Sequence, residues 1–314
     1  MKKQLRSLSL IAAFVIGGLF HEQLAGFHYL LNYGLGIMLF LTFVGIETNK
    51  LKVTRRHFKL LLYWQSSAVI MWLIPALLGY PILAESFFYI AAAPLATASP
   101  IIVALLKGKV EFITTAMVIT QIVFSLLLPF ILPFVVHGSH LSYWSIASAM
   151  LQQLVVVVIL PAILACILRV TYPKSIKLRA KCVNLSLVLW VSNLSIVTAL
   201  SLVRIKAMDV SLLDMLPFII GAAIICALSF TLGFRLGKPD YQDEFSQACG
   251  QKNTILSLMV ATHDSSNPLA IITPTFYIIF QNIANSIQII LAQRREEKSK
   301  LKDTTQSGNA RNFL

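Results

Sequence analysis

The sequence predicts an all-α polytopic membrane protein of ten transmembrane helices, arranged as two inverted five-helix repeats. Three observations carry that prediction. The 314 residues are 57% hydrophobic and only 12% charged, about half the charged share that a soluble domain uses to cover its surface. Apolar runs of about 20 residues, the length of a membrane-crossing helix, recur along most of the chain. The basic residues that give the net charge of +13 sit in short clusters between those runs. Loops on the inner face of a membrane have that distribution, so the expected surroundings are a lipid bilayer and no nucleic acid.

Taken in order, the expected spans are Leu8–Phe20, Phe27–Glu47, Leu60–Tyr80, Glu85–Leu106, Phe112–Val135, Ser145–Ile167, Val183–Val203, Leu213–Gly237, Tyr241–Thr262 and Leu269–Gln293. The first is short and follows the basic run MKKQLR, as in a signal peptide. No small-x-small cleavage site follows it, so a retained helix is favoured. With the N-terminus in the cytoplasm, every Lys and Arg except Arg204, Lys206 and Lys252 falls in an inner segment. A wrong count would scramble that alternation, so both termini are expected on the cytoplasmic side of an inner membrane. Arg204 and Lys206 take an outer loop; Lys252 lies inside a span. Five helices precede the sixth, and a half with an odd number of spans must repeat upside down. The repeats are expected at 1–138 and 139–293, with a polar, disordered cytoplasmic tail at 294–314. Cys166, Cys182, Cys226 and Cys249 show no CxxC spacing and read as helix-packing residues, without disulfide or metal.

Two spans look interrupted. In span four, Pro94 and Pro100 flank Leu-Ala-Thr-Ala-Ser, so helical hydrogen bonding cannot run across residues 94–100. Irregular backbone at membrane depth survives only where it is buried in protein or lines a cavity. Span nine carries Gln247, Gln251, Lys252, Asn253 and Thr254 near its middle, where polar groups are costly and usually functional. Interrupted segments at matching positions of two inverted halves point to a transporter's midplane site. Matching LATASPII to GQKNTIL sets Thr97 near Gln251 and Ser99 near Asn253. Eleven residues beyond Tyr241, Lys252 lies about 16 Å into a core about 30 Å thick, too deep for a lysine reaching to the interface. Glu244, the nearest carboxylate along the chain, is roughly 12 Å away in a helix. A buried lysine of this kind can serve as a fixed counter-charge to an anion, or release and regain a proton during a cycle.

The run APLATASPIIVALLKGKVEF, the element CGQKNT and the stretch FYIIFQNIANS resemble the bile acid:sodium symporter family, and the spacing is similar over nearly the whole chain. The resemblance implies a core domain of spans three to five and eight to ten, with helices four and nine crossing at their unwound centres. It implies a facing panel domain of spans one, two, six and seven. Between them would bind an organic anion, bile-acid-like or a small carboxylate. The sequence departs from the sodium-coupled pattern at several places. Ser99-Pro100 replaces Ser-Asn, Ile113 and Met117 replace hydroxyls, Gln247 stands at the family's glutamate, and Lys252 stands at its asparagine. Gln251 is kept, and Gln65 matches a family glutamine within a few residues. Sodium ligands, if sodium binds, would be Ser99, Gln247 and Gln251. A glutamate with two sodium ions sums to +1, and so does Gln247 with a protonated Lys252 and no sodium. The ammonium is therefore expected to replace the coupling cation, leaving a proton as the other possible coupled species.

Gln281, Asn282 and Asn285 in span ten and Ser192, Asn193 and Ser195 in span seven could line the cavity, with Gln281 and Asn282 ranked ahead of the span-seven group. The six histidines lie in loops or at span ends, and neither HExxH nor GxSxG occurs, so no enzyme and no cofactor is expected. Alternating access fits the broken pair better than a channel filter does. A non-transporting sensor or scaffold of the same fold is the rival from another class.

Overall fold

The computed structural model describes residues 12–44, 51–135, 155–207, 210–264 and 267–311, together with residues 144, 148 and 152. The described chain is helical, and its only extended pairing is an isolated bridge. The main helices are α1 (Leu30–Val44), α2 (Arg55–Leu77), α3 (Pro81–Ala92), α4 (Ser99–Leu105), α5 (Val110–Val135), α6 (Leu160–Thr171), α7 (Arg179–Ala207), α8 (Leu212–Leu236), α9 (Gln242–Gly250), α10 (Thr254–Asp264) and α11 (Ile272–Arg311).

Five helices among the described residues are long and apolar enough to cross a membrane, and three shorter apolar ones accompany them. Large apolar side chains face outward around the bundle: Leu77, Leu213 and Phe134 are 77%, 80% and 81% exposed. Such a surface is untenable in water and natural in lipid, so the protein is membrane-embedded. Predicted spans four and nine each divide into two helices, so length alone does not mark them. Parts of spans one, two and six, the repeat boundary at 138/139, and Lys2, Lys3, Arg6 and Lys50 lie outside the described residues.

The predicted disorder after Arg294 is corrected, because α11 continues as helix to Arg311. Its run of Arg, Glu and Lys consists of strong helix formers, and it extends a helix already nucleated inside the bundle.

Local signals explain the ends that matter here. Pro81 opens α3 at the one position where a missing N–H is harmless, and α3 stops two residues before Pro94. Ser211 caps α8, its Oγ accepting from the Asp214 N–H at 3.2 Å. Ahead of α5, Lys107 takes a left-handed φ of 64°. At the neighbouring Gly108 a Cβ would lie 2.9 Å from the Glu244 carboxylate, which instead accepts the Lys109 N–H at 2.6 Å. That contact ties the start of α5 to α9.

The helices pack in two groups. One holds α1, α6, α7 and the turn His21–Ala25; the other holds α2–α5 and α8–α11. Extensive contact between the groups is confined to α7 with α11 and α4, and α1 with α4. A shared core of Met38, Leu39, Phe43, Ile101, Ile102, Trp190 and Leu194 fills that seam. Both helix breaks lie beside it.

Candidate functional site

α3 gives way to α4 over residues 93–98, and α9 gives way to α10 over residues 251–253. The two unwound segments cross and bond through their main chains. The Ala96 N–H donates to Gln251 O at 2.9 Å, and the Asn253 N–H donates to Pro94 O at 2.8 Å. Leu95 and Lys252 therefore stand opposite each other in an antiparallel bridge. This corrects the register expected from Thr97/Gln251 and Ser99/Asn253. Matching the two segments as repeats runs them in the same direction, whereas chains that cross antiparallel pair in opposite directions.

Ending a helix in mid-membrane strands its last carbonyls, and each stranded group must find a donor. Ser257 Oγ donates to Tyr89 O at 2.8 Å, and Trp64 Nε1 reaches both Ala92 O and Ala93 O at 3.1 Å. Gln121 Nε2 donates to Leu95 O, while the Leu95 N–H donates to Thr120 Oγ1, each at 3.3 Å. The Lys252 ammonium donates to Ala91 O at 3.0 Å. On the other chain, Tyr277 OH donates to Gly250 O at 2.8 Å. Lys252, only 3% exposed, thus caps the negative end of the α3 dipole, an arrangement that favours a cation.

An amide chain on α11 supports the crossing. Gln281, Asn285 and Gln288 stand at i, i+4 and i+7, on one face of the helix. Gln281 Oε1 accepts the Lys252 N–H at 3.0 Å, and its Nε2 donates to Thr254 Oγ1 at 3.3 Å. Asn285 Nδ2 donates to Gln251 Oε1. Gln247 Nε2 donates to Asn285 Oδ1 at 2.9 Å and to Gln288 Oε1 at 2.7 Å. Gln288 Nε2 reaches Ser246 Oγ at 2.7 Å. A connected chain of this kind fixes side-chain orientation, and the oxygen it leaves without a donor is Gln247 Oε1.

A cavity of about 80 Å³ opens at the crossing. Thr97, Gln251, Lys252, Asn253 and Thr254 line it from the broken segments, and Gln281 and Asn282 line it from α11. Across the seam, Leu31 and Leu35 of α1 and Trp190, Asn193 and Leu194 of α7 complete the wall. No Asp or Glu is among the lining residues. Asn253 Oδ1 accepts the Leu256 N–H at 3.3 Å, while its buried Nδ2 has no partner. The cavity wall therefore includes a lysine, an asparagine with a spare amide donor and the first residue of α10, and no acidic side chain to balance them.

Of the predicted site residues, Thr97, Gln251, Lys252, Asn253, Thr254, Gln281 and Asn282 meet here. Gln247 is fully buried one turn before the break, within the amide chain. Ser99 is fully buried at the start of α4, its Oγ without a partner. Gln65 lies apart, beside Trp64, Phe88 and Phe124 at a separate apolar cavity. Asn193, ranked low on sequence, lines the site. Gln288, Tyr277, Trp64, Thr120, Gln121 and Ser257 were missed. Only Gln288 carried a signal, as the next residue on the amide-bearing face of α11.

Fold and site together define a membrane-embedded helical protein whose two interrupted helices cross beside a small cavity lined by Lys252 and by no acidic residue. Compared with known proteins, the chain matches no family model and no curated protein.

Proposed function

We propose that the protein is a secondary transporter of small organic anions that works by alternating access, with Lys252 in place of a coupling cation. One observation carries the reading: Lys252, buried at membrane depth, lines a cavity without any acidic lining residue. An unbalanced charge in that setting is expensive, and residues of this type inside membranes mark substrate or ion pathways. The volume favours small carboxylates over bile-acid-like solutes, since about 80 Å³ amounts to on the order of six water positions. The two packing groups fit the core and panel layout implied by the symporter resemblance, with the site in the seam where one group would rock against the other.

A thermal-shift screen of short-chain carboxylates against their uncharged amides, followed by uptake into liposomes, tests this. Acids should stabilise the protein and amides should not. Equal stabilisation by amides would remove the anion from the reading. Binding without uptake would leave a sensor.

A second reading, sodium-coupled symport, has its own support. Ser99 Oγ, Thr114 Oγ1 and Gln247 Oε1 are buried oxygens without hydrogen-bond partners, on the mutually packed helices α4, α5 and α9. Unmet oxygens are what a hard cation takes as ligands. Against it stands the loss of any carboxylate at those positions.

A further inference from the structure

The amide chain that supports the crossing also reaches a second cavity. Gln288 and Ser246, at its far end, form the inner wall of a pocket of about 280 Å³ between α8, α9 and α11. Phe230, Phe234 and Leu291 make the rest of that wall apolar, and Asp243 and Arg295 stand at the rim. The guanidinium of Arg295 lies 6.0 Å from the Phe234 ring centroid. Arg295 and Asp243 line the same pocket and their charges interact across it, without a direct ion pair within 4.0 Å. Two opposite charges that face one opening without closing on each other suit a ligand that carries both.

The position selects the ligand's source. α8 and α11 are both membrane-crossing, and Arg295 ends the apolar span Leu269–Arg295. The rim therefore lies at headgroup depth, while the aromatic and leucine wall lies where acyl chains begin. We propose that this pocket binds a phospholipid with a primary-amine headgroup, of the phosphatidylethanolamine type. Arg295 takes the phosphate, Asp243 takes the ammonium, and the first acyl carbons lie on Phe230 and Phe234. Charged pockets between membrane helices recognise headgroups by this chemistry. The proposal does not depend on the transport reading.

The test is the thermal stability of the purified protein, delipidated in detergent, with three additions. These are phosphatidylethanolamine, phosphatidylglycerol of the same chains, and water-soluble phosphoethanolamine. Phosphatidylethanolamine should raise Tm above the phosphatidylglycerol value by about 3 °C or more. Asp243→Asn should erase that advantage and keep the phosphatidylglycerol shift; Arg295→Gln should weaken both. Native mass spectrometry of the wild-type protein provides a readout free of folding effects, and should retain the ethanolamine lipid preferentially. Equal shifts by the two lipids, or an advantage that survives Asp243→Asn, would overturn the proposal. So would an equal shift with phosphoethanolamine, which would place the source in solution.

Discussion

Lys252 answers to two demands at once. Its ammonium caps Ala91 O at the end of α3, and the same residue lines the cavity. Replacing it with Met keeps nearly the same volume, so packing should change little. The orphaned carbonyl costs about 1–3 kcal/mol, while removing a desolvated charge relieves several. Lys252→Met should therefore leave the melting temperature unchanged or raise it, as calorimetry would show. Anion uptake should fall at least tenfold, about 1.4 kcal/mol or more of lost interaction. Lys252→Arg retains the charge but holds its proton near neutrality. Binding kept with the pH dependence of uptake lost would identify proton coupling; both kept would identify a plain counter-charge. Normal anion-selective uptake by Lys252→Met would refute the assignment.

At the level of elements, the crossing is held by few bonds but is over-determined. Both breaks sit where proline or a polar run weakens the helix, and the carbonyls of Tyr89, Ala91, Ala92, Ala93, Leu95 and Gly250 are each met by a side-chain donor from elsewhere in the bundle. The antiparallel register has a direct consequence. Leu95 and Lys252 form the pair flanked by the two main-chain bonds, the kind with Cα atoms about 4.5 Å apart. Cysteines placed at 95 and 252 in a background lacking the native cysteines should form a disulfide rapidly on mild oxidation. A 99/253 pair should not, because those residues lie on opposite sides of the bridge. Crosslinking at 99/253 with none at 95/252 would mean that the segments run parallel.

For the whole molecule, the transport reading assigns the two packing groups the relative motion that would expose the central cavity to either side. On that reading, the cation held at the site would set what drives the motion. With Lys252 as the resident charge, replacing sodium by choline should change uptake less than about twofold. A saturable sodium activation would instead assign Ser99, Thr114 and Gln247 as cation ligands. It would also make the lysine an auxiliary charge. The two outcomes separate cleanly in liposomes with a controlled ion gradient.

Membrane embedding, helical architecture and both helix breaks were legible along the chain, because each depends on local chemistry. Apolar runs of bilayer length, proline's missing N–H and an isolated polar cluster act over a few residues, and neighbours in sequence are enough to read them. Lys252 stood out for the same reason, as a cation with no acid within helical reach. The crossing register was not legible, since direction is set by how two distant segments meet, and a repeat alignment cannot carry it. Nor was the identity of the donors that satisfy the broken backbone. Trp64, Gln121 and Tyr277 look like ordinary membrane-helix residues until the fold brings their polar atoms to stranded carbonyls. Gln65 shows the converse: a plausible polar residue in a plausible span, carried by tertiary packing into an apolar cavity of its own. The placing of Asp243 and Arg295 at one pocket, 52 positions apart in the chain, arises only when the fold brings α9 and α11 to the same cavity. Local chemistry says where a helix must break, and the contacts between helices decide what the break is for.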